Sequence, residues 1–425
     1  LNCGKAMTLS GEMPYNGWEK NRRMSLFSAG AAKIDITPPL NVGILMSSIE
    51  GKWSPFKAIR KPLYARVVVL TAGTQQVAIV SLDLLGLTDT SVGGWERFKR
   101  SLGEIIPKDN IIIHSTHTHS APETLALTAL YKTPGYIAWI EQVAHKIKTG
   151  IEQAVSTLRV CRVEYGFDTL EGFSLQRRIA TGKGIVISHE LQPVPEELFR
   201  KTPVDRRIKA IKFIGSDNTV VGSIIHCVCH PVHEMCIPAV SPDYPGELCD
   251  MLDASGSFGI SLFLNGACGD INPPTVSCGH EYAVKHAAAI AGTLHCMKFH
   301  NIADVRIKHI AVKLTLPSRN FPGAPPPADC MARINVIRLG TLSIVFLPGE
   351  PFVQIGLDIE EAAPFEHTLV AGYCENSVGY IPPPSAFDEG GYETGPGRWS
   401  YLDQAAASLL KKAAGEALLR VNNDE

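Results

Sequence analysis

Short runs rich in β-branched residues alternate with longer runs of helical periodicity along most of this 425-residue chain. The alternation is typical of an α/β architecture, in which helices cover a β-sheet. We predict strands at residues 64–70, 77–83, 110–115, 207–214, 220–227, 259–265, 305–316, 332–339, 342–347 and 368–372. We predict helices at residues 95–102, 136–158, 245–254, 281–299, 352–362 and 402–419.

The sheet is expected to be mixed. Gly340 and Thr341 join two predicted strands in a hairpin, so antiparallel pairs must be present. No linker divides the chain, and we predict one large domain over residues 24–425 with layers of mixed β-sheet flanked by helices. Residues 1–23 are interpreted as a leader or disordered extension, and the Pro/Gly-rich segment 382–398 as a long ordered loop.

Charge and apolar patterning exclude several classes of protein. The 40 basic and 42 acidic side chains nearly cancel, so no basic excess indicates a nucleic-acid partner. No apolar run approaches the ~20 residues of a membrane span, and residues 1–23 lack the apolar core of a signal peptide. The 11 cysteines contain no CxxC pair and are interpreted as buried free thiols. We therefore expect a cytoplasmic protein without an integral membrane segment, and the sequence leaves open whether it forms a homo-oligomer.

Three histidines lie at or just after the end of the strand predicted at residues 110–115, in the stretch IIIHSTHTHSAP: His114, His117 and His119. In an extended segment, side chains two residues apart point to the same side, so His117 and His119 are expected to share a pocket. Neutral imidazole is a common ligand of Zn²⁺. A metal site is therefore predicted at this strand end.

A second histidine window, HCVCHPVHEM, follows the strand predicted at residues 220–227 and contains His226, His230 and His233. The zinc-protease motif HExxH fails because Ile237 stands where its second histidine would be. A proline directly after His230 disfavours helix at that residue. A ligand carried by a loop is therefore favoured, although spacing alone does not select one of the three histidines.

Three further segments carry candidate polar groups. Asp243 either caps the helix predicted near Pro245 or acts as a catalytic-site carboxylate that orients a zinc-bound histidine. The loop NGACGDINPP, residues 265–274, is suited to an oxyanion site or to an ordinary tight turn. Arg177 and Arg178 in LQRR are interpreted either as ligands of a polar or anionic substrate group or as surface residues.

Taken in order, these fragments resemble the neutral, non-lysosomal ceramidase family. The resemblance rests on SAGAAKIDITPP, THTHSAP, CHPV followed by PDYPG, GDINP, GEPF, and GYIP followed by GYE, and it spreads over residues 29–393. It implies one zinc ion per chain, held by His117, His230, Glu350 and Tyr380. It also implies that His119 lines the pocket, that Tyr392 in GYE contacts the substrate, and that the substrate is a small or lipid-like amide.

Two departures from the family pattern weaken the expectation of a ceramide substrate. The family's GD-x-SPN element carries a serine implicated in catalysis, and Asn272 occupies that position here. No C-terminal immunoglobulin-like domain is expected after Leu402. The resemblance therefore implies an amide substrate smaller than, or different from, ceramide.

The expected reaction is attack of activated water on an amide carbonyl. His119 is the candidate for proton transfer to the leaving amine. Asn272, with the main-chain amides of Gly269 and Asp270, is the candidate for stabilising the oxyanion. Two alternatives remain: a zinc enzyme that opens or closes a lactam or lactone, and a zinc-binding protein without catalytic activity.

Overall fold

The computed structural model describes residues 26–45, 53–191 and 194–423, so the leader predicted at residues 1–23 lies outside the described residues. The helices are α1 Trp95–Leu102, α2 Pro134–Ser156, α3 Asp243–Ser255, α4 His280–Cys296, α5 Val353–Ala362, α6 Pro384–Glu389 and α7 Ala406–Asn422. The strands are β1 Ser28–Asp35, β2 Ile44–Leu45, β3 Ser54–Pro55, β4 Ala58–Ile59, β5 Tyr64–Ala72, β6 Gln75–Leu82, β7 Ile111–Ser115, β8 Arg159–Thr169, β9 Leu175–Gln176, β10 Arg178–Thr181, β11 Gly184–Ile187, β12 Arg207–Gly215, β13 Val220–Cys227, β14 Ala239–Val240, β15 Ile260–Asn265, β16 Ile271–Asn272, β17 His300–Ile302, β18 Ile307–Thr315, β19 Met331–Leu339, β20 Leu342–Pro348, β21 Glu350–Pro351, β22 His367–Cys374 and β23 Tyr380–Ile381.

One mixed sheet of 13 strands organises the fold. Its order is β15-β13-β12-β8-β1-β5-β6-β7-β22-β20-β19-β18, and β17 pairs with β8. Three neighbouring pairs are parallel: β6 with β7, β13 with β15, and β20 with β22. The hairpin predicted at Gly340 and Thr341 joins β19 to β20 in antiparallel register. The prediction of an α/β fold with mixed sheet layers is confirmed.

The central strands are buried on both faces. In β5, Val67 and Val69 pack into a core shared with α1 and α2, whereas Val68 and Leu70 face a second core made by strands from both halves of the sheet. Successive residues of a strand point to opposite faces, so the uninterrupted run of valine and leucine in β5 contributes side chains to both cores. Helices α5 and α7 cover one outer face, and α3 and α4 cover another.

The carboxyl ends of the three parallel strand pairs meet in one region. Strands β7 and β22 touch there through Cys374 and His114. The segments that follow β6, β7, β13, β15, β20 and β22 therefore come together, although they are far apart in sequence. Binding sites of α/β proteins commonly form at the carboxyl ends of the strands, and the candidate site of this chain lies here.

Several elements differ from the sequence-based prediction. Strand β1 is built from small residues with weak strand preference, and β8 alternates buried residues with charged ones such as Arg162 and Glu164; neither strand was predicted. The segment 382–398 is wrong as a continuous loop, because the short helix α6 lies within it. Ten cysteines of the described residues are free thiols, and most of them are buried, as predicted. In the described part of the chain, no helix has the length and apolar character that crossing a membrane requires.

Substituting Gly30 by alanine should destabilise the fold. A Cβ atom at this position of β1 would lie 1.9 Å from the carbonyl oxygen of Ala154 in α2, and main chain cannot move aside as a side chain can. We expect a loss of about 1–3 kcal/mol in the free energy of unfolding, measured by urea denaturation. Gly415→Ala in α7 is the control, since nothing lies within 4 Å of its Cβ position and alanine favours a helix. Equal stability of the two variants would contradict the close approach of α2 to β1.

Candidate metal centre

Three buried histidines converge at the strand ends. His117 and His119 follow β7, and His230 follows β13; one ring nitrogen of each lies within 4.8 Å of the corresponding nitrogens of the other two. The expectation that His117 and His119 share a pocket is met, but the backbone is not extended, because His117 has a φ of 68°. A left-handed residue is uncommon outside glycine and marks a constrained position.

Main-chain carbonyls fix the orientation of two of these rings. The carbonyl oxygen of Leu85 lies 2.5 Å from Nδ1 of His117, and that of Ile271 lies 3.0 Å from Nδ1 of His230. A carbonyl oxygen can only accept, so Nδ1 carries the hydrogen in both rings and Nε2 keeps its lone pair. This is how metal-binding histidines are commonly held.

Glu350 faces both of these lone pairs. Its Oε2 lies 3.3 Å from Nε2 of His117 and 3.3 Å from Nε2 of His230. Burial raises the pKa of Glu350, but the charges and hydrogen bonds of His117 and His230 in their protonated form hold it well below its usual range. Glu350 in β21 pairs with Tyr380 in β23, so a two-residue parallel bridge places the two side chains next to each other.

The donor atoms at this point fit a divalent cation. Among the described residues, four buried atoms of this site have no hydrogen-bond partner: Nε2 of His117, both ring nitrogens of His119, and Oε2 of Glu350. Leaving buried polar atoms unpaired costs about 1–3 kcal/mol each, so their convergence indicates a bound group. Imidazole nitrogens with a carboxylate oxygen are typical ligands of Zn²⁺. Tyr380, the fourth residue implied by the resemblance, lines the same cavity.

Arg177 lies directly behind these residues and is fully enclosed. Its Nε donates to Glu393 at 2.7 Å, one terminal nitrogen donates to the Tyr380 hydroxyl at 3.0 Å, and the other lies 3.3 Å from Oδ1 of Asn272 and 3.4 Å from Nε2 of His230. Burial would lower the pKa of this guanidinium, but Tyr380 and Glu393 raise it well above its usual value. Arg177 therefore orients other side chains, with its hydrogens already engaged.

Arg178 also pairs with Glu393. It donates to Glu393 at 2.6 Å, to Glu389 at 3.2 Å and to the carbonyl of Gly390 at 2.7 Å. Neither arginine is a surface residue, since each is only 5% exposed. The structure thus leaves neither guanidinium free for an anionic substrate group.

The Gly269 amide in the loop after β15 does not point into the site as expected. The N–H of Gly269 donates to the carbonyl of Pro351 at 2.9 Å. The Asp270 carboxylate accepts from the side chain of Gln176 and the N–H of Val353, each at 2.7 Å, and burial raises its pKa to about 6. Asn272 contacts Arg177 and is not among the described residues that line the cavity. These residues therefore support Arg177 and the strand beside it.

Asp243 is the first residue of α3. Its carboxylate accepts from the N–H of Glu234 at 2.9 Å and from that of Tyr244 at 2.6 Å. Burial raises its pKa to about 6. Within the described chain it makes no hydrogen bond with a histidine, and α3 has Pro242 as its N-cap residue without a side-chain capping bond, so the contacts of Asp243 match neither the ligand-orienting nor the helix-capping alternative.

The other histidines of the two windows have structural partners. His114 accepts from the N–H of Asn265 at 2.9 Å, and His226 donates to the carbonyl of Val370 at 3.0 Å. Nε2 of His233 lies 3.0 Å from Nδ1 of His286. The set of candidate metal ligands is thereby reduced to His117, His119 and His230.

The buried neutral histidines should make the stability of the metal-free protein depend on pH. Burial lowers the pKa of His226 to about 3, whereas a free histidine titrates near 6.5. The unfolded chain therefore binds this proton first, and stability is lost as the pH falls from about 6.5, by about 1.4 kcal/mol per pH unit. The glutamine of His226→Gln can still donate to Val370 but does not titrate. As the pH is lowered from 7 to 6 and 5 in the presence of chelator, the unfolding free energy of this variant should decrease by about 1.4 kcal/mol less per pH unit than that of the unchanged protein. If the unfolding free energies of the two proteins depend equally on pH, His226 is not held neutral in the folded protein.

Two residues of the centre were missed by the sequence analysis. Glu393, which is completely buried, pairs with both Arg177 and Arg178. In the sequence, only its position in the motif GYE distinguishes it from the other glutamates. Tyr373 has a φ of 56° and its ring centroid lies 4.2 Å from that of His117, while its hydroxyl lies 3.0 Å from Sγ of Cys268. No motif in the sequence marked Tyr373.

A cavity of about 100 Å³ opens from the centre to the surface. That is room for roughly seven to ten water molecules at 10–15 Å³ each. His117, His119, Glu350 and Tyr380 form its inner end. Its walls come from residues 125–127 and 324–326, and from Tyr392 and Trp399, whose rings stack with centroids 5.3 Å apart. Tyr392 is thus placed where a substrate would contact it.

The family relationship follows from a sequence comparison. The family described as neutral/alkaline non-lysosomal ceramidase, N-terminal, matches residues 27–239, half of the chain. The chain belongs to this ceramidase family. Membership and fold identify it as a hydrolase. The match includes the segments that carry His117, His119, Arg177 and His230, and the resemblance drawn from the short motifs is confirmed.

Solved ceramidase structures share the fold. The neutral ceramidase from Pseudomonas aeruginosa superimposes with a TM-score of 0.73 at 16% identity, over 93% of this chain and 74% of that chain. A ceramidase complexed with C2 gives a TM-score of 0.75 at 16% identity, over 94% of this chain and 77% of that one. A search of curated proteins finds no match.

Proposed function

We propose that this ceramidase-family chain is a zinc-dependent hydrolase that cleaves the amide bond of an N-acyl compound smaller than ceramide. The observation that carries the proposal is the convergence of unpaired buried donor atoms of His117, His119 and Glu350 beside Nε2 of His230. One zinc ion per chain, held by His117, His230, Glu350 and Tyr380, would account for the unpaired atoms of His117 and Glu350 and would leave His119 free for another role.

The side chains around the cavity supply binding and proton transfer. Zinc, when bound, supplies a Lewis acid for a carbonyl and makes water a stronger nucleophile at neutral pH. His119 lines the cavity with both ring nitrogens unpaired, which suits proton transfer to a leaving amine. Arg177 donates to the Tyr380 hydroxyl and so fixes its orientation. Asn272 acts through Arg177, since its side-chain oxygen accepts from that guanidinium.

The size of the cavity supports a compact substrate. A cavity of about 100 Å³ is small beside the roughly 300–1,000 Å³ of typical ligand pockets, which favours a compact substrate over one with two long alkyl chains. The same size suits a lactam or lactone, whose ring opening would use the same groups. A ring substrate is therefore the second candidate function.

Metal analysis combined with a substrate panel tests the proposal. Purified protein should contain about one zinc per chain by mass spectrometry, and it should hydrolyse short N-acyl amides with chelator-sensitive turnover. Preference for lactams or lactones over linear amides would select the second candidate. Bound zinc without turnover on any class would indicate a zinc-binding protein without catalytic activity, and absence of zinc would overturn the central claim.

His119→Gln separates proton transfer from metal binding. We expect kcat to fall by about 10²–10⁴-fold, the usual contribution of a general acid or base, while the zinc content stays unchanged. The pH dependence of kcat should lose one limb, because glutamine does not titrate. If the variant instead loses its zinc, His119 is a ligand and the proton must come from another group.

A further inference from the structure

Among the described residues, the cavity wall contains one cation without an ionised partner. Arg398 is exposed at the mouth, and one terminal nitrogen donates to the carbonyl of Ala126 at 3.0 Å. Within the described chain no carboxylate lies within 4.0 Å of its guanidinium. Most of its five N–H donors therefore remain available to a ligand.

Asp329 on the same wall has a raised pKa because it is buried, although Arg398 is within electrostatic reach and its charge lowers the pKa by a smaller amount. Its carboxylate accepts from the N–H of Thr90 at 3.3 Å and from the Thr90 hydroxyl at 3.0 Å, and the residue is 4% exposed. It makes no ion pair with Arg398. The two arginines that the sequence first indicated for an anionic group, Arg177 and Arg178, are both paired with Glu393.

The main chain around Arg398 is held in place. Gly397 and Ser400 exchange two hydrogen bonds, of 3.1 and 2.9 Å, so Arg398 lies in a closed turn. Trp399 stacks on Tyr392 beside it, and both rings line the cavity. A side chain on such a turn is partly preorganised, which lowers the entropy that binding would cost.

We propose that Arg398 binds a carboxylate of the substrate, so that the compounds cleaved are short N-acyl amino acids. This inference rests on the proposed amide hydrolysis. Guanidinium matches the geometry of a carboxylate with two parallel hydrogen bonds. The scissile amide lies near His117 and Glu350 and the carboxylate near Arg398, since all three side chains line the same cavity. Hydrolysis consumes one water and gives a free carboxylic acid and an amino acid.

The test uses two substrates that differ only in the carboxylate: N-acetyl-leucine and N-acetyl-isopentylamine. For the zinc-loaded protein we expect kcat/KM to be about 10- to 100-fold higher on the acid, as for a hydrogen-bonded charge pair. Arg398→Gln should remove this preference and leave kcat/KM on the amine analogue within about twofold. Arg100→Gln, an exposed arginine of α1, is the control and should behave like the unchanged protein.

Calorimetric titration with N-acetyl-leucine separates failure of this inference from failure of the proposed function. Equal turnover of both substrates, or unchanged preference in Arg398→Gln, overturns the carboxylate site while amide hydrolysis stands. If neither compound is hydrolysed, the proposed function fails for this class. Binding of N-acetyl-leucine that is lost in Arg398→Gln then still supports the site, whereas equal binding, or none, overturns it.

Discussion

His230→Ala should lose its zinc, with the metal content falling from about one equivalent per chain to less than a tenth and amide hydrolysis falling by at least about 10³-fold. Removing this imidazole leaves Nε2 of His117 and Oε2 of Glu350 without their third neighbour. A ligand set reduced by one member binds metal far more weakly, because the remaining atoms no longer complete a tetrahedral shell. His117→Ala is expected to have the same result. Zinc content by mass spectrometry and initial rates on one amide measure both effects.

The matched control for these variants is a histidine from the same window. His233 contacts His286 and not the metal centre, so His233→Gln should keep its zinc and most of its activity. Circular dichroism shows whether each variant is folded. Full zinc occupancy in folded His117→Ala and His230→Ala would overturn the assigned centre, whatever the activity.

Glu393→Ala should have the largest effect on stability. The glutamate is completely buried and pairs with Arg177 at 2.7 Å and Arg178 at 2.6 Å. Removing one member of a buried charge network leaves the others uncompensated and typically costs about 3–5 kcal/mol. Urea denaturation in the presence of chelator measures this free energy without a contribution from bound metal.

Glu389→Ala is the control for Glu393. It removes another carboxylate that contacts Arg178, but the side chain of Glu389 is 53% exposed, and exposed pairs contribute about 0–1 kcal/mol. The two variants therefore remove the same chemical group from the same arginine at different burial. A loss below about 1 kcal/mol in both would contradict the role of Glu393 as the counter-ion of the centre.

Much of the fold could be predicted because local pattern and burial agree. The valine run of β5 and the apolar periodicity of α2 each specify one element. Strand β1 could not be predicted, since its small residues, including Gly30, are selected by the close approach of α2 and not by strand preference. Strand β8 could not be predicted either, because charged residues on its exposed face obscure the alternation of apolar and polar side chains.

The candidate site was only partly readable from the sequence for a related reason. Position at a strand end marked both histidine windows, but which rings converge depends on distant main-chain carbonyls, such as that of Leu85 for His117 and that of Val370 for His226. The backbone at His117 is left-handed, so the rule that side chains two residues apart in an extended segment face the same side could not predict the orientation of this ring. Glu393 meets Arg177 across 216 positions of the chain, and no local pattern records such a contact.

The residues of the centre are far apart in the sequence, and this separation has a consequence for the kinetics of folding. Its side chains come from the segments after β7, β13, β20 and β22, and from residue 393 near the end of the described chain. Contacts between such distant segments form slowly, because the intervening chain must first be ordered. During refolding from urea, uptake of metal should therefore lag behind the recovery of secondary structure. The centre would report the completion of folding and would not nucleate it.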